Sequence, residues 1–91
     1  MDTTGKPIKV SRHAAQRISQ RGATTEETEQ AIRTRPWRPA KRGKWHARRV
    51  FPFDANSPVN GRHYAHKTVD VVFADNPASI VVVTVKVYYH D

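Results

Sequence analysis

The sequence predicts one α+β domain over residues 1–91, in which two N-terminal helices pack on one face of a three- to four-stranded antiparallel sheet. Three observations support this fold. Helix-capping signals lie in the first third of the chain, segments that alternate in polarity fill the second half, and a basic, proline-containing connector separates the two. A chain of this length has room for a single hydrophobic core.

The first helix is expected to begin after Ser11, a good N-cap, and to end before Gly22, which can adopt the left-handed terminating conformation. Val10, Ala14 and Ile18 recur every fourth residue and form its apolar stripe. Residues 1–8 lack such a pattern and are expected to be disordered.

A second helix is expected to follow at once, because Thr24 and Glu27 have the spacing of a capping box. It must end near Arg33, since Pro36 follows shortly. The helical pair therefore covers residues 9–33. The next segment, residues 34–43, is predicted to be a stiff basic connector.

The rest of the chain is predicted to form the antiparallel sheet, over residues 44–90, with a turn at Asn60-Gly61. Side chains alternate between the two faces of a strand, and the odd-numbered positions are the apolar ones in every segment. The odd face is therefore the predicted core. The even face is too polar for a core, and it carries Lys44, His46, Arg48, Tyr64, His66, Thr68, Thr84, Lys86 and Tyr88.

Charge is the strongest global indication of function. Lys and Arg number 16 against 8 acidic residues, a formal net charge of +8. Eight basic residues and no acid lie between Gln30 and Phe53. A polyanion such as RNA is the partner that this composition favours. A solvated basic surface, or a face matched to an acidic protein, stays open as the alternative.

Several classes of chemistry are not expected. The absence of cysteine excludes disulfides, thiolate zinc sites and a cysteine nucleophile. No export signal is recognised and no apolar run approaches the roughly 18 residues of a membrane span, so a cytoplasmic protein without a membrane partner is expected. His63 and His66 would face opposite ways on a strand, and neither a metal site nor a cofactor is predicted. A domain this small could be a homo-oligomer.

The polar even face has the groups needed to bind or cleave RNA. Cations bind phosphates and aromatic rings stack on bases. Metal-free cleavage also needs a group that accepts the 2′-hydroxyl proton. An ordinary solvated sheet face is the alternative. The candidates are His46 and His66 as proton acceptors, Lys44, Arg48 and Lys86 as phosphate ligands, and Tyr64 and Tyr88 as stacking rings.

A second candidate surface lies on the first helix, where His13, Arg17 and Arg21 are four residues apart. The helical period places them at the boundary between core and solvent, from which an arginine can present its guanidinium to a phosphate. The positive helix N-terminus favours a neutral imidazole at His13, the form that a general base needs. The alternative is structural, with Arg17 paired to Glu27 or Glu29.

The motifs also resemble those of a known family. "SRHAAQRISQRGATTEETEQAI", "NGRHY" and the closing "IVVVTVKVYY" are similar to segments of domain of unknown function 4258. Its members are small bacterial proteins grouped with RelE-like toxins in the wider set of barnase, EndoU, colicin and RelE folds. The similarity spans residues 9–89. By position His13 and Arg17 match the family's hallmark pair, Arg21 its second arginine, and Thr84 its terminal-strand threonine.

This resemblance implies a toxin-type, metal-independent endoribonuclease that cleaves RNA by 2′-hydroxyl attack and is neutralised by an acidic antitoxin or immunity protein. The chain departs from the family pattern at Thr28 and Lys86. A non-catalytic nucleic-acid-binding module, or a basic interaction domain for an acidic protein, is the alternative. The predicted catalytic residues are His13, Arg17, His46 and Thr84, and the predicted RNA-binding residues are Arg21, Lys44, Arg48, Tyr64, His66, Lys86 and Tyr88.

Overall fold

The computed structural model describes residues 6–91, which form two helices and a five-stranded mixed sheet. None of the helices over these residues is long and apolar enough to cross a bilayer. The helices are α1 (Arg12–Arg21) and α2 (Thr25–Thr34), and the strands are β1 (Ile8–Val10), β2 (Arg38–Pro39), β3 (Trp45–Asn56), β4 (His63–Asp75) and β5 (Ile80–His90).

The α+β class is confirmed, but the sheet differs from the predicted three- to four-stranded antiparallel one. Its order is β1-β5-β4-β3-β2, and β1 runs parallel to β5 while the other pairs are antiparallel. The two unpredicted strands have three and two residues, too few to show a period of two. The backbone fixes β1 beside β5, since Ile80 N donates to Pro7 O and Ser11 N donates to Val82 O.

The N-terminal segment was expected to be disordered over residues 1–8. Residues 1–5 lie outside the described residues. The other three belong to the sheet edge, because Lys6 Nζ lies 2.6 Å from Asp75 Oδ1 and Ile8 pairs with Ile80.

The predicted helix ends are confirmed. Ser11 Oγ accepts a hydrogen bond from Ala14 N, and Gly22 ends α1 in the left-handed conformation at φ 79°. A side chain at Gly22 would collide with the Tyr89 hydroxyl. Both bonds of the capping box at α2 are present between Thr24 and Glu27.

The prediction that odd positions form the core holds for β3 and most of β4 but is wrong for the first part of β5. Phe73 pairs with Val82 whereas Val72 pairs with Thr84, which leaves Val83 as an extra residue on β5. This β-bulge reverses the alternation, so that Val82 is fully buried while Thr84 lies on the opposite face. Beyond the bulge the odd positions face the core again.

The helices cover the odd face of the sheet. A buried lysine of β4 binds both helix ends at this face. Lys67 Nζ lies 2.9 Å from Glu27 Oε1 and donates to Gly22 O at 2.8 Å. Its ammonium also lies 5.3 Å from the centre of the Phe53 ring. Because a buried charge needs partners, these contacts fix the corner between α1 and α2 over β4.

Tyr89 of β5 completes the attachment of this helix corner. Its hydroxyl donates to Arg21 O at 2.5 Å, and its ring packs against Phe53 at a centroid distance of 5.0 Å. Burial, with a smaller effect from the Glu27 carboxylate, raises the pKa of Tyr89.

Replacing the buried ammonium should weaken the fold. Lys67→Met keeps the apolar stem but removes the ammonium that pairs with Glu27 and donates to Gly22 O. We expect the free energy of unfolding, measured by urea denaturation, to fall by about 1.5–3 kcal/mol. Lys9→Met, at an exposed position of β1, is the matched control and should change it by less than about 0.5 kcal/mol. Equal effects of the two variants would contradict the role of Lys67 in holding the helices on the sheet.

The stability that Tyr89 contributes should decline at alkaline pH. Since the pKa of Tyr89 is raised in the folded chain, the unfolded chain releases the proton first and ionisation favours unfolding. The contribution is complete below about pH 10, the ordinary tyrosine pKa, and is lost as pH rises toward the folded value. The difference in free energy of unfolding between wild type and Tyr89→Phe should therefore shrink above about pH 10. Tyr88→Phe, which removes an exposed phenol from the same strand, is the control. A difference that stays constant with pH would contradict this role.

Candidate functional site

The sheet face that the helices leave uncovered brings polar side chains of three strands into register. Cross-strand neighbours on one face of a sheet lie close enough to interact directly. Two adjacent rows matter most. The first consists of His46, Val72 and Thr84, and the second of Arg48, Asp70 and Lys86.

Asp70 is the centre of this arrangement. Its side chain is 7% exposed; Oδ1 lies 3.1 Å from His46 Nδ1, and Oδ2 lies 2.9 Å from Arg48 Nη2. Both carboxylate oxygens are thus occupied by cationic or imidazole groups, as a buried carboxylate requires. The contact holds the proton of neutral His46 on Nδ1, which leaves Nε2 as its basic nitrogen. Among residues 6–91, Nε2 has no hydrogen-bond partner.

A cleft of about 460 Å³ opens over these rows. The connector between β2 and β3 forms one wall through Ala40 and Lys41, and Tyr88 lies at the other side. Lys86 sits opposite Asp70 but forms no ion pair with any residue of the described chain. The cleft therefore has one carboxylate, both of whose oxygens already have partners, and several basic side chains. This excess of basic groups favours an anionic ligand. The polar lining is Lys41, His46, Arg48, Asp70, Thr84 and Lys86.

A separate cluster lies further along the same face. The rings of His66 and His90 are stacked at a centroid distance of 5.8 Å, and His90 Nε2 lies 2.8 Å from Thr68 Oγ1. His66 does not line the cleft, although the sequence grouped it with His46. No three His, Asp or Glu side chains converge as metal ligands in residues 6–91.

The structure does not bring the predicted residues of α1 into the cleft. His13 is exposed, and the Arg17 guanidinium bonds to Gln20 Oε1 of its own helix at 3.5 Å. Arg17 pairs with neither of the acids considered for it; one of them, Glu27, binds Lys67 instead. α1 packs on the odd face, through the buried Ala14 and Ile18, whereas the cleft lies on the even face.

Arg21 reaches the outer edge of the sheet. Its Nη1 donates to Val85 O at 2.7 Å, and the side chain borders a cavity of about 370 Å³ together with Lys86 and Tyr88. Of the three basic residues singled out on α1, Arg21 therefore lies nearest to the cleft residues.

Tyr64 and Lys44 are also displaced from their expected position. The Tyr64 ring lies 5.9 Å from the ring of Tyr89, whose hydroxyl binds Arg21 O of α1, and Tyr64 does not line the cleft. Lys44 precedes β3 and its Nζ bonds to Arg42 O at 3.5 Å, outside the cleft lining.

Sequence reasoning missed Asp70 as a site residue, although the same alternation placed it on the polar face. What the sequence did not show was the register between β3 and β4, which decides which residues face Asp70. A tight turn at Asn60-Gly61 would set Arg48 opposite Phe73, whereas the longer loop, together with the register shift between Pro52 and Ala55, sets it opposite Asp70. An acidic residue at an even position between basic strands was the available indication.

Comparisons with protein-family models, with curated proteins and with solved structures found no match for this chain. The resemblance to domain of unknown function 4258 therefore stays a prediction. The functional assignment depends on the geometry of the cleft.

Neutralising the central carboxylate should weaken the domain through the imidazole and the guanidinium that it holds. In Asp70→Asn the contacts with His46 and Arg48 lose their charge, and we expect the free energy of unfolding to fall by about 1.5–3 kcal/mol. Added salt should reduce this loss of stability, because salt screens the cations that the carboxylate no longer neutralises. The measurement is urea denaturation at low and high ionic strength.

The chain offers a matched control for this variant. Asp54 pairs with His63 at 2.9 Å, but its side chain is 88% exposed. Asp54→Asn should change the free energy of unfolding by less than about 0.5 kcal/mol. Similar effects at both positions would contradict the central role of Asp70.

Proposed function

We propose that the cleft binds the phosphodiester backbone of RNA and that the protein is a toxin-type, metal-independent endoribonuclease. The observation that carries the proposal is the buried Asp70 carboxylate, which holds His46 and Arg48 side by side at the cleft. An oriented imidazole next to a fixed guanidinium combines a proton acceptor with a ligand for phosphate.

The proposed reaction is attack by the ribose on its own phosphate. His46 Nε2 accepts the proton of the 2′-hydroxyl while the 2′-oxygen bonds to phosphorus. The bond from phosphorus to the 5′-oxygen breaks, and that oxygen takes a proton from the Tyr88 hydroxyl at the cleft wall. The products are a 2′,3′-cyclic phosphate and a 5′-hydroxyl end.

The other cleft residues support this reaction electrostatically. Arg48 and Lys86 neutralise the negative charge that develops on the phosphoryl oxygens, and the Thr84 hydroxyl donates a hydrogen bond to one of them. Asp70 stabilises the imidazolium that forms at His46 and keeps the ring oriented. DNA is not cleaved, because it lacks the attacking hydroxyl.

The proposal places proton transfer at His46, whereas the family resemblance points to His13 and Arg17. His46 is preferred because its imidazole is held by a buried carboxylate, while His13 has no hydrogen-bond partner among residues 6–91. A cytoplasmic site of action and an acidic neutralising protein, which would cover the basic cleft, belong to the same proposal.

A second candidate is a non-catalytic RNA-binding module. It is favoured by the number of cations around the cleft, since Lys41, Arg48 and Lys86 would bind phosphates whether or not cleavage follows. The two functions differ in one observable, the appearance of cleavage products.

Removing the proposed base should abolish cleavage. We expect His46→Ala to lower the cleavage rate of a 5′-labelled single-stranded RNA by about 10²–10⁴-fold, the usual contribution of a general base. His63→Ala is the matched control, because it also removes a histidine paired with an aspartate, at a site outside the cleft. Products are separated by electrophoresis and their ends identified by mass, with EDTA present throughout.

Three outcomes would overturn the assignment. No cleavage of any RNA in a panel that covers every dinucleotide step would exclude the nuclease and leave the binding module. Full activity of His46→Ala together with its loss in His13→Ala would move the site to α1. Loss of activity in EDTA alone would exclude a metal-independent reaction.

A further inference from the structure

The outer edge of β3 carries a basic groove with three arginines, Arg35, Arg38 and Arg49, that the mechanism above does not use. β2 pairs with β3 at two positions, through Arg38 and Pro39, and within residues 6–91 the rest of this edge has no neighbouring strand. Two cavities lie beside it. The larger, about 580 Å³, is lined by Thr34, Arg35, Arg48, Arg49 and Val50, and the smaller, about 270 Å³, by Arg35, Pro36, Arg38, His46 and Arg48.

These cavities share lining residues with the cleft. Arg48 lines the cleft and both edge cavities, and His46 lines the cleft and the smaller cavity. Arg35 joins the two edge cavities to each other. We call the two cavities together the β3-edge groove.

Two arginines of the β3-edge groove are free to bind a ligand, and a third is held in position. Arg35 and Arg38 are exposed, and neither side chain forms an ion pair within residues 6–91. Arg49 is held in place, since its Nη1 donates to Thr34 Oγ1 at 2.8 Å and its guanidinium lies 5.2 Å from the centre of the Phe51 ring. Among residues 6–91 no acidic residue lines either cavity, and the groove residues held by a carboxylate are Arg48 and His46, which bind Asp70.

The opposite end of the cleft, beside β5, is more apolar than the β3-edge groove. The cavity there is lined by Val59, Val87 and Tyr88 beside Arg21 and Lys86. Val59 is 67% exposed and Tyr88 48% exposed, and the Arg21 guanidinium already bonds to the backbone. Apolar and aromatic groups bind bases, whereas free guanidiniums bind phosphates. Unpaired arginines are therefore concentrated on the β3 side of the cleft.

We propose that the β3-edge groove binds the phosphates that flank the cleaved one on one side, so that the substrate is an extended single strand several nucleotides long. This inference rests on the proposed function, because it takes the cleft as the position of the reacting phosphate. A positively charged groove that follows the backbone, next to an aromatic platform, is the usual design of a single-strand site. The new binding residues are Arg35, Arg38 and Arg49.

The test measures binding without cleavage. The probe is a labelled single-stranded RNA of about ten nucleotides with every 2′-hydroxyl methylated, so that no attack can occur. Its affinity is measured by fluorescence anisotropy as a function of salt. For Arg35→Ala/Arg38→Ala we expect the slope of log K against log salt to become shallower by about 1.4, which is roughly 0.7 for each lost phosphate contact.

Arg12→Ala/Arg62→Ala is the matched control. It removes the same charge from two exposed positions, one on α1 and one in the loop between β3 and β4, and should leave the slope nearly unchanged. In cleavage assays the groove variant should raise KM for the longer RNA and leave KM for a dinucleotide as in wild type.

The outcomes separate the groove from the catalytic proposal. If both double variants change the slope equally, or if wild type does not bind the probe at low salt, the proposal that the groove binds RNA is wrong, even where cleavage is observed. If the slopes differ as expected but wild type cleaves no RNA, the groove stands as a binding site and the catalytic proposal fails. An acidic protein that binds wild type while the RNA probe does not would also overturn the groove.

Discussion

The arrangement of this domain depends on one buried ammonium. Lys67 reaches from β4 into the corner between the two helices, where it meets the Glu27 carboxylate and the Gly22 carbonyl. A charge in this position is stable only with those partners, so the helix pair is held over the odd face of the sheet. The even face stays uncovered, and three strands present their polar side chains there in register.

A second buried charge on the same strand organises the uncovered face. Asp70 follows Lys67 by three residues, and the alternation of the strand therefore points the two side chains to opposite faces. One binds the helix corner, and the other binds His46 and Arg48. β4 lies at the centre of the sheet, between β3 and β5, which makes both contacts part of the most enclosed strand. The cleft is thus preorganised by the element least free to move.

The basic edge of β3 has a structural consequence as well as the proposed functional one. An open strand edge can pair with another chain, and charged side chains along it discourage such pairing. Arg48 and Arg49 lie on the unpaired part of β3, and Arg35 projects from the end of α2 beside it. The same cations that keep the edge from pairing are suited to the phosphates of a single strand.

The local elements could be predicted from the sequence because their signals are local. Ser11, Gly22 and the Thr24–Glu27 box set the helix ends through contacts within a few residues, and alternation separated a polar from an apolar face. What needed the tertiary structure was pairing between distant segments. The longer loop before β4 and the register shift between Pro52 and Ala55 set the pairing of β3 with β4, and this pairing decides that Asp70 meets His46 and Arg48, while the bulge at Val83 places Thr84 on the same face. Composition reveals which charges a chain carries, but only the folded sheet decides which of them become neighbours.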